Sequence, residues 1–135
     1  MQSILGIRTK ETEIVLDGIA VRLVCADGLD EFVDTEALLS EADAPEPPYW
    51  MHLWPAAATL AGLAGRSASI GPGVRVIELG CGLGLPGLVA AMRGASVVVT
   101  DWRREPLAFT RVSTELNQVE VAAVQMDWAR PAFGR

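Results

Sequence analysis

The residues best suited to chemistry lie in the run Glu-Leu-Gly-Cys-Gly-Leu-Gly-Leu-Pro-Gly at 78–87. Gly80, Gly82 and Gly84 stand at alternate positions behind an acid, Glu78. Glycine adopts φ > 0 and, having no Cβ, lets a ligand come close to the backbone. Read as Gly82-x-Gly84-x-x-Gly87, the spacing formally fits a dinucleotide fingerprint. Read as Glu78-x-Gly80-x-Gly82-x-Gly84, it puts a carboxylate beside the loop. That carboxylate would repel a pyrophosphate and tolerate or attract a cationic ligand.

Two further acids follow at positions that suit a nucleoside. Asp101 ends the Ser-Val-Val-Val-Thr run at 96–100, where a carboxylate can accept hydrogen bonds from ribose hydroxyls. The structural alternative for Asp101 is capping the next helix. Asp127-Trp128 follows a third apolar run, where an aromatic can pack on adenine and a carboxylate can accept from its amino group. Upstream, Pro48-Tyr-Trp-Met-His-Leu-Trp-Pro55 gathers three aromatics and the only histidine. Trp54 is placed to face a ligand. Tyr49 and Trp50 are equally consistent with an aromatic plug at the sheet edge. His52 is read as structural or solvent-facing, since no Ser, Cys or metal-ligand constellation surrounds it. No residue presents itself as a catalytic base.

These groups need strands and helices to place them. Val74, Val76, Ile77 and Leu79 form the apolar run of a central parallel strand. Pro86 suits the first turn of a helix, and Leu85, Leu88, Val89 and Met92 recur at helical spacing. A second strand is expected at 96–100, a helix from Arg103 to Asn117 and a third strand from Val119 to Gln125. Pro55 starts a helix ending near Gly65. Near the N-terminus, Asp17-Gly18 between Thr12–Leu16 and Ile19–Cys25 predicts a β-hairpin. A short helix or partly ordered segment is expected over Leu29–Ser40, then an acidic, proline-rich linker over 41–48.

Composition narrows the partners. At 135 residues the chain holds one domain at most, and with half its residues hydrophobic it can build a packed core. A net charge of −6 argues against a nucleic-acid partner, which needs a basic face. It permits a basic protein partner. Cys25 and Cys81 are read as free thiols in a reducing compartment, and one histidine with two cysteines makes no metal site. The first ten residues lack the apolar core of a signal peptide, and no run is long enough to span a membrane, so the expectation is cytoplasmic.

The Glu78–Gly87 run, Asp101, Asp127-Trp128 and Trp54 before a helix, in that order, resemble the seven-strand, Rossmann-like, S-adenosylmethionine-dependent protein-lysine methyltransferases. The likeness covers about residues 48–128 and is strongest to the electron-transfer flavoprotein β-subunit lysine methyltransferase branch. It implies an α/β Rossmann-like sheet with helices on both faces. Residues 1–47 would be a hairpin and linker extension, and 48–135 the S-adenosylmethionine-binding, N-terminal half. It further implies that Trp54, the Gly80-Cys81-Gly82 backbone, Asp101 and Trp128 line the cofactor pocket. Glu78, Gly84, Trp102 and Asp127 complete the expected site, and the substrate would be a protein lysine. The family pattern continues beyond a third strand, so the chain is expected to be a fragment without methyl-transfer activity by itself. The alternatives are a nicotinamide-dependent dehydrogenase fragment and a non-catalytic module.

Overall fold

Asp17 and Gly18 both have positive φ, 49° and 82°. A two-residue type I′ hairpin turn needs that pair of conformations. In the computed structural model, which describes residues 3–40, 42 and 46–133, three antiparallel strands come first. They are β1 (Ser3–Ile4), β2 (Ile7–Leu16) and β3 (Ile19–Ala26), in the order β1-β2-β3. The hairpin register runs from Leu16↔Ile19 to Thr9↔Ala26. Strand β2 therefore starts well before Thr12. Its early part carries Arg8, Lys10 and Glu11, so no apolar alternation marks it as a strand; pairing with β3 holds it extended. Along β3, Val21 and Leu23 are buried and Ala20 and Arg22 exposed, as alternation predicts, but Val24 is buried too. Both faces of β3 are covered at that end.

Residues 29–40 form a 3-10 turn (Leu29–Phe32) and a short helix, α1 (Thr35–Ser40). Positions 41 and 43–45 of the expected linker lie outside the described residues. A 3-10 turn at Tyr49–Met51 leads to helix α2 (Pro55–Arg66), which has Pro55 in its first turn. Then β4 (Arg75–Leu79), α3 (Leu85–Met92), β5 (Ser96–Asp101), α4 (Arg104–Leu116) and β6 (Val121–Gln125) alternate. The three strands are parallel, in the order β4-β5-β6.

Two successive right-handed crossovers running the same way across a sheet put both helices on one face. Accordingly α3 and α4, through Ala90 and Leu107, share a core with Val76, Val97, Val99 and Ala123. On the other face Ile77 and Leu79 remain 49% and 56% exposed. The expected Rossmann-like sheet is present, but among the described residues α3 and α4 gather on one face rather than on both.

The N-terminal strands are not a separate unit. Val21 and Leu23 of β3 pack with Ala61 of α2 and with Leu85 and Leu88 of α3. Val24 packs with Trp50, Leu83 and Phe109. Asn117, just past α4, pairs with β3 as a neighbouring strand would: its Oδ1 accepts from Arg22 N (2.9 Å) and its Nδ2 donates to Arg22 O (2.6 Å). Ser113 Oγ accepts from the Val24 N–H at 3.0 Å. Arg66 closes the far end with an ion pair to Asp17. The division at residue 47 thus separates stretches of chain, not cores.

Candidate functional site

The site grows out of the end of β4. Cys81 N donates to Thr100 O at 2.9 Å, extending the ladder to β5 past the last strand residue. Gly80, Gly82 and Gly84 then take φ of 63°, 52° and 73°. These left-handed conformations suit glycine and strain other residues. Gly84 N donates to Cys81 O (2.8 Å), closing a tight turn into α3.

Glu78 reaches across that turn. Its Oε2 accepts from Gly87 N–H, in the first turn of α3, at 2.7 Å. A carboxylate here satisfies a free amide and suits the positive end of the helix. Helix and strand can approach this closely because Gly87 has no side chain. A Cβ there would lie 2.6 Å from Glu78 Oε2 and 2.7 Å from Val99 Cγ1.

Burial pushes the Glu78 carboxyl up to about 7; the Gly87 N–H opposes the shift and nearby Asp101 adds to it. A raised carboxyl stabilises the fold in its protonated form. That contribution is full below the unfolded value near 4.5 and is lost as pH climbs through about 7. Glu78→Gln keeps an oxygen for Gly87 and removes the titration. Its thermal midpoint should therefore vary less than that of the parent chain between about pH 5 and pH 8. Parallel pH profiles for the two chains would show that Glu78 does not titrate in this window.

Asp101 is 6% exposed. Its Oδ2 accepts from Gly82 N at 3.1 Å and its Oδ1 from Arg103 N at 3.2 Å. One carboxylate thus braces the glycine loop and shapes the approach to α4. A strand-end residue is expected to lie outside the core; this one is buried and holds two segments. Each oxygen keeps a second lone pair for a ligand hydroxyl. Beyond it, Trp102 is 62% exposed, its ring lying 5.0 Å beneath the Arg103 guanidinium.

Cys81 lies within the loop, but its thiol is not a nucleophile. Burial, with the carboxylates of Glu78 and Asp101, pushes it up to about 12, so it stays protonated. Thr110 of α4 supports the loop from below, where its hydroxyl donates to Gly82 O at 3.3 Å.

A cavity of about 710 Å³ opens around the loop, within the range of small-molecule and cofactor sites. Glu78, Gly80, Cys81, Gly82, Gly84, Asp101, Trp102 and Trp128 all line it. Trp128 overlies Gly80 so closely that a Cβ there would meet its ring at 2.9 Å. Tyr49, Trp50, His52 and Trp54 also line the cavity, and of these Trp50 is buried, its ring packed against Phe109 at 5.0 Å between centroids. The aromatic-plug reading therefore holds for Trp50 and not for Tyr49.

Asp127 stands apart from the other expected site residues. It is exposed, does not line the cavity, and uses Oδ1 to accept from Ala129 N at 2.9 Å. Its carboxylate forms the turn that presents Trp128. Sequence reasoning missed the Glu78–Gly87 bond, the support from Thr110 and the place of Arg103 in the cavity wall. The glycine at 87 was the available signal for the first, since it marks a close helix–strand approach.

A parallel β-α-β-α-β unit with a glycine turn at its first strand and an acid at its second defines a nucleoside-cofactor domain of the Rossmann-like class. The family profile described as "Lysine methyltransferase" matches residues 38–133. The chain belongs to this family. It is 36% identical over 83 residues to the histone-arginine methyltransferase METTL23 of Mus musculus, a match covering 59% of this chain and 33% of that protein. It is 35% identical over 74 residues to the electron transfer flavoprotein beta subunit lysine methyltransferase of Danio rerio, covering 53% and 28%. The chain thus spans a third or less of the length of these relatives. Among solved structures, the T. thermophilus 16S rRNA N2 G1207 methyltransferase RsmC, in complex with AdoMet and guanosine, shares the fold. Its TM-score is 0.58 at 19% identity, over 88% of this chain and 28% of that one.

Proposed function

We propose that this chain is the S-adenosylmethionine-binding portion of a protein methyltransferase whose acceptor is a lysine side chain. The observation that carries the reading is the Glu78–Gly87 bond at 2.7 Å. In dinucleotide enzymes the helix after the glycine turn receives a pyrophosphate on its free N–H groups. Here a carboxylate of the protein already occupies one of those groups. A phosphate at that helix end would meet Glu78, with Asp101 close behind. A phosphate-free nucleoside ligand bearing positive charge fits, and the nicotinamide alternative is not favoured.

The cofactor supplies an activated methyl group on a sulfonium. The residues of this chain bind and orient it: Asp101 accepts from ribose hydroxyls, Trp128 and Trp102 flank the base, and the Gly80–Gly82 backbone permits close approach. Lysine as the acceptor follows from the family description and from the flavoprotein-directed relative. The acidic balance of the chain, −6 overall, favours a basic protein surface over a nucleic acid. Two free cysteines are consistent with a cytoplasmic setting.

Calorimetry with S-adenosylmethionine, S-adenosylhomocysteine and NAD tests the reading. Both sulfur ligands are expected to bind more tightly than NAD. Tighter binding of NAD would reject it.

A further inference from the structure

Eight of the chain's 17 acidic residues lie between Asp27 and Glu46, and no lysine or arginine occurs from Leu23 to Gly65. That leaves nine acids against 11 lysines and arginines elsewhere in the chain. The net charge of −6 is therefore not spread over the sequence; this one stretch carries it, and the remainder is slightly basic. Among the described residues, Glu31 alone of these acids is in an ion pair, with Arg8.

The same stretch holds apolar side chains that the fold does not cover. Helix α1 buries none of its six residues. Phe32, Leu38 and Leu39 are 41%, 38% and 85% exposed. A helix this short is marginal in water by itself, and apolar groups gathered within a polar rim mark an interaction surface. Phe32, Ala37, Leu38 and Pro47 line a groove of about 100 Å³, with Asp34 and Glu46 in its wall. It has room for one aliphatic side chain. Glu46 and Pro47 also line the larger cavity about the glycine loop, so an occupant of the groove lies beside that cavity.

Charge selects the occupant. These acids repel a nucleic acid or an anionic lipid surface. A second copy meeting this face across a twofold axis would set acid against acid. A basic polypeptide meets neither obstacle, and complementary charge steers it to the face.

We propose that the groove of Phe32, Ala37, Leu38 and Pro47 docks a basic segment of a partner protein. One aliphatic side chain enters the groove, and lysines or arginines on either side of it meet Asp34 and Glu46. This docking goes beyond the cofactor reading and does not depend on it.

The probes are three blocked peptides, Lys-Arg-Leu-Arg-Lys, Lys-Arg-Ser-Arg-Lys and Glu-Asp-Leu-Asp-Glu. Each is titrated into the 15N-labelled 135-residue chain while the backbone amides of Phe32, Val33, Ala37 and Leu38 are followed. The basic leucine peptide should shift these amides and bind about three- to tenfold more tightly than its serine counterpart. Its affinity should fall between about 0.05 and about 0.5 M salt, and the acidic peptide should not bind. Asp34→Asn keeps a side-chain oxygen for the Ala37 N–H, which Asp34 Oδ1 accepts at 2.9 Å, and removes the charge. That variant and Glu46→Gln should each weaken the basic leucine peptide by about two- to fivefold. The peptide and salt comparisons leave the protein unaltered, so they decide the matter even where a variant loses α1. Equal binding of the leucine and serine peptides, an acidic peptide that binds as tightly as the basic one, or shifts confined to other parts of the chain would overturn the proposal. Shifts of the same amides on concentrating the chain without peptide would give the face to a second copy and overturn it too.

Discussion

Gly84→Ala is expected to destabilise the fold by about 2–5 kcal/mol, the largest stability loss expected of any single methyl group added here. Two separate causes contribute. Gly84 has φ of 73°, and a left-handed conformation costs a residue with a Cβ roughly 1–2 kcal/mol. The new Cβ would also lie 2.6 Å from Thr110 Cγ2 and 2.7 Å from Thr110 Oγ1. Thr110 is 1% exposed and cannot swing away, so overpacking adds about 1–3 kcal/mol. Denaturant midpoints of Gly84→Ala, Thr110→Ala and the double variant separate the two causes. Thr110→Ala removes both offending atoms, so the double variant should be more stable than the sum of the single losses implies. The backbone share should remain. Additive losses would mean that the loop yields and the contact with α4 carries no strain.

That contact shows where the sequence stops being legible. The alternate glycines announce a turn that admits only glycine, and all three have positive φ. Elements whose signal is local came through with shifts of a few residues at their ends: the hairpin about Asp17-Gly18, α2 after Pro55, and the three parallel strands. Partners across the fold were not legible. Nothing near Gly84 in the chain points to Thr110, and nothing near Arg22 points to Asn117. Strand β2 was read too short because three charged residues, Arg8, Lys10 and Glu11, hide its first half, and its extension rests on pairing with β3. Glu78 was legible as an acid beside a loop. Its use as a cap for α3 was not, because the glycine that permits the contact lies nine residues on, in the first turn of that helix.

Asp101 is the residue at which sequence and structure ask different things of one side chain, and its replacement separates them. Asp101→Ala is expected to weaken S-adenosylhomocysteine binding roughly tenfold to a hundredfold. A hydrogen bond to a charged group contributes about 1.5–3 kcal/mol. A strand-end residue outside the core could be removed with little effect on the fold. Asp101 is buried, and its loss leaves Gly82 N–H and Arg103 N–H without their acceptor. The melting temperature of Asp101→Ala should therefore fall as well. Part of the affinity loss then comes from a loosened loop, not from a missing contact to ribose. A ligand without the two ribose hydroxyls distinguishes the causes. The parent chain should bind 2′,3′-dideoxy-S-adenosylhomocysteine more weakly than the intact ligand, while Asp101→Ala should bind the two almost alike, since the acceptor that tells them apart is gone. If the variant still prefers the intact ligand by the full parental ratio, Asp101 acts through the loop alone and the hydroxyls are read elsewhere in the cavity.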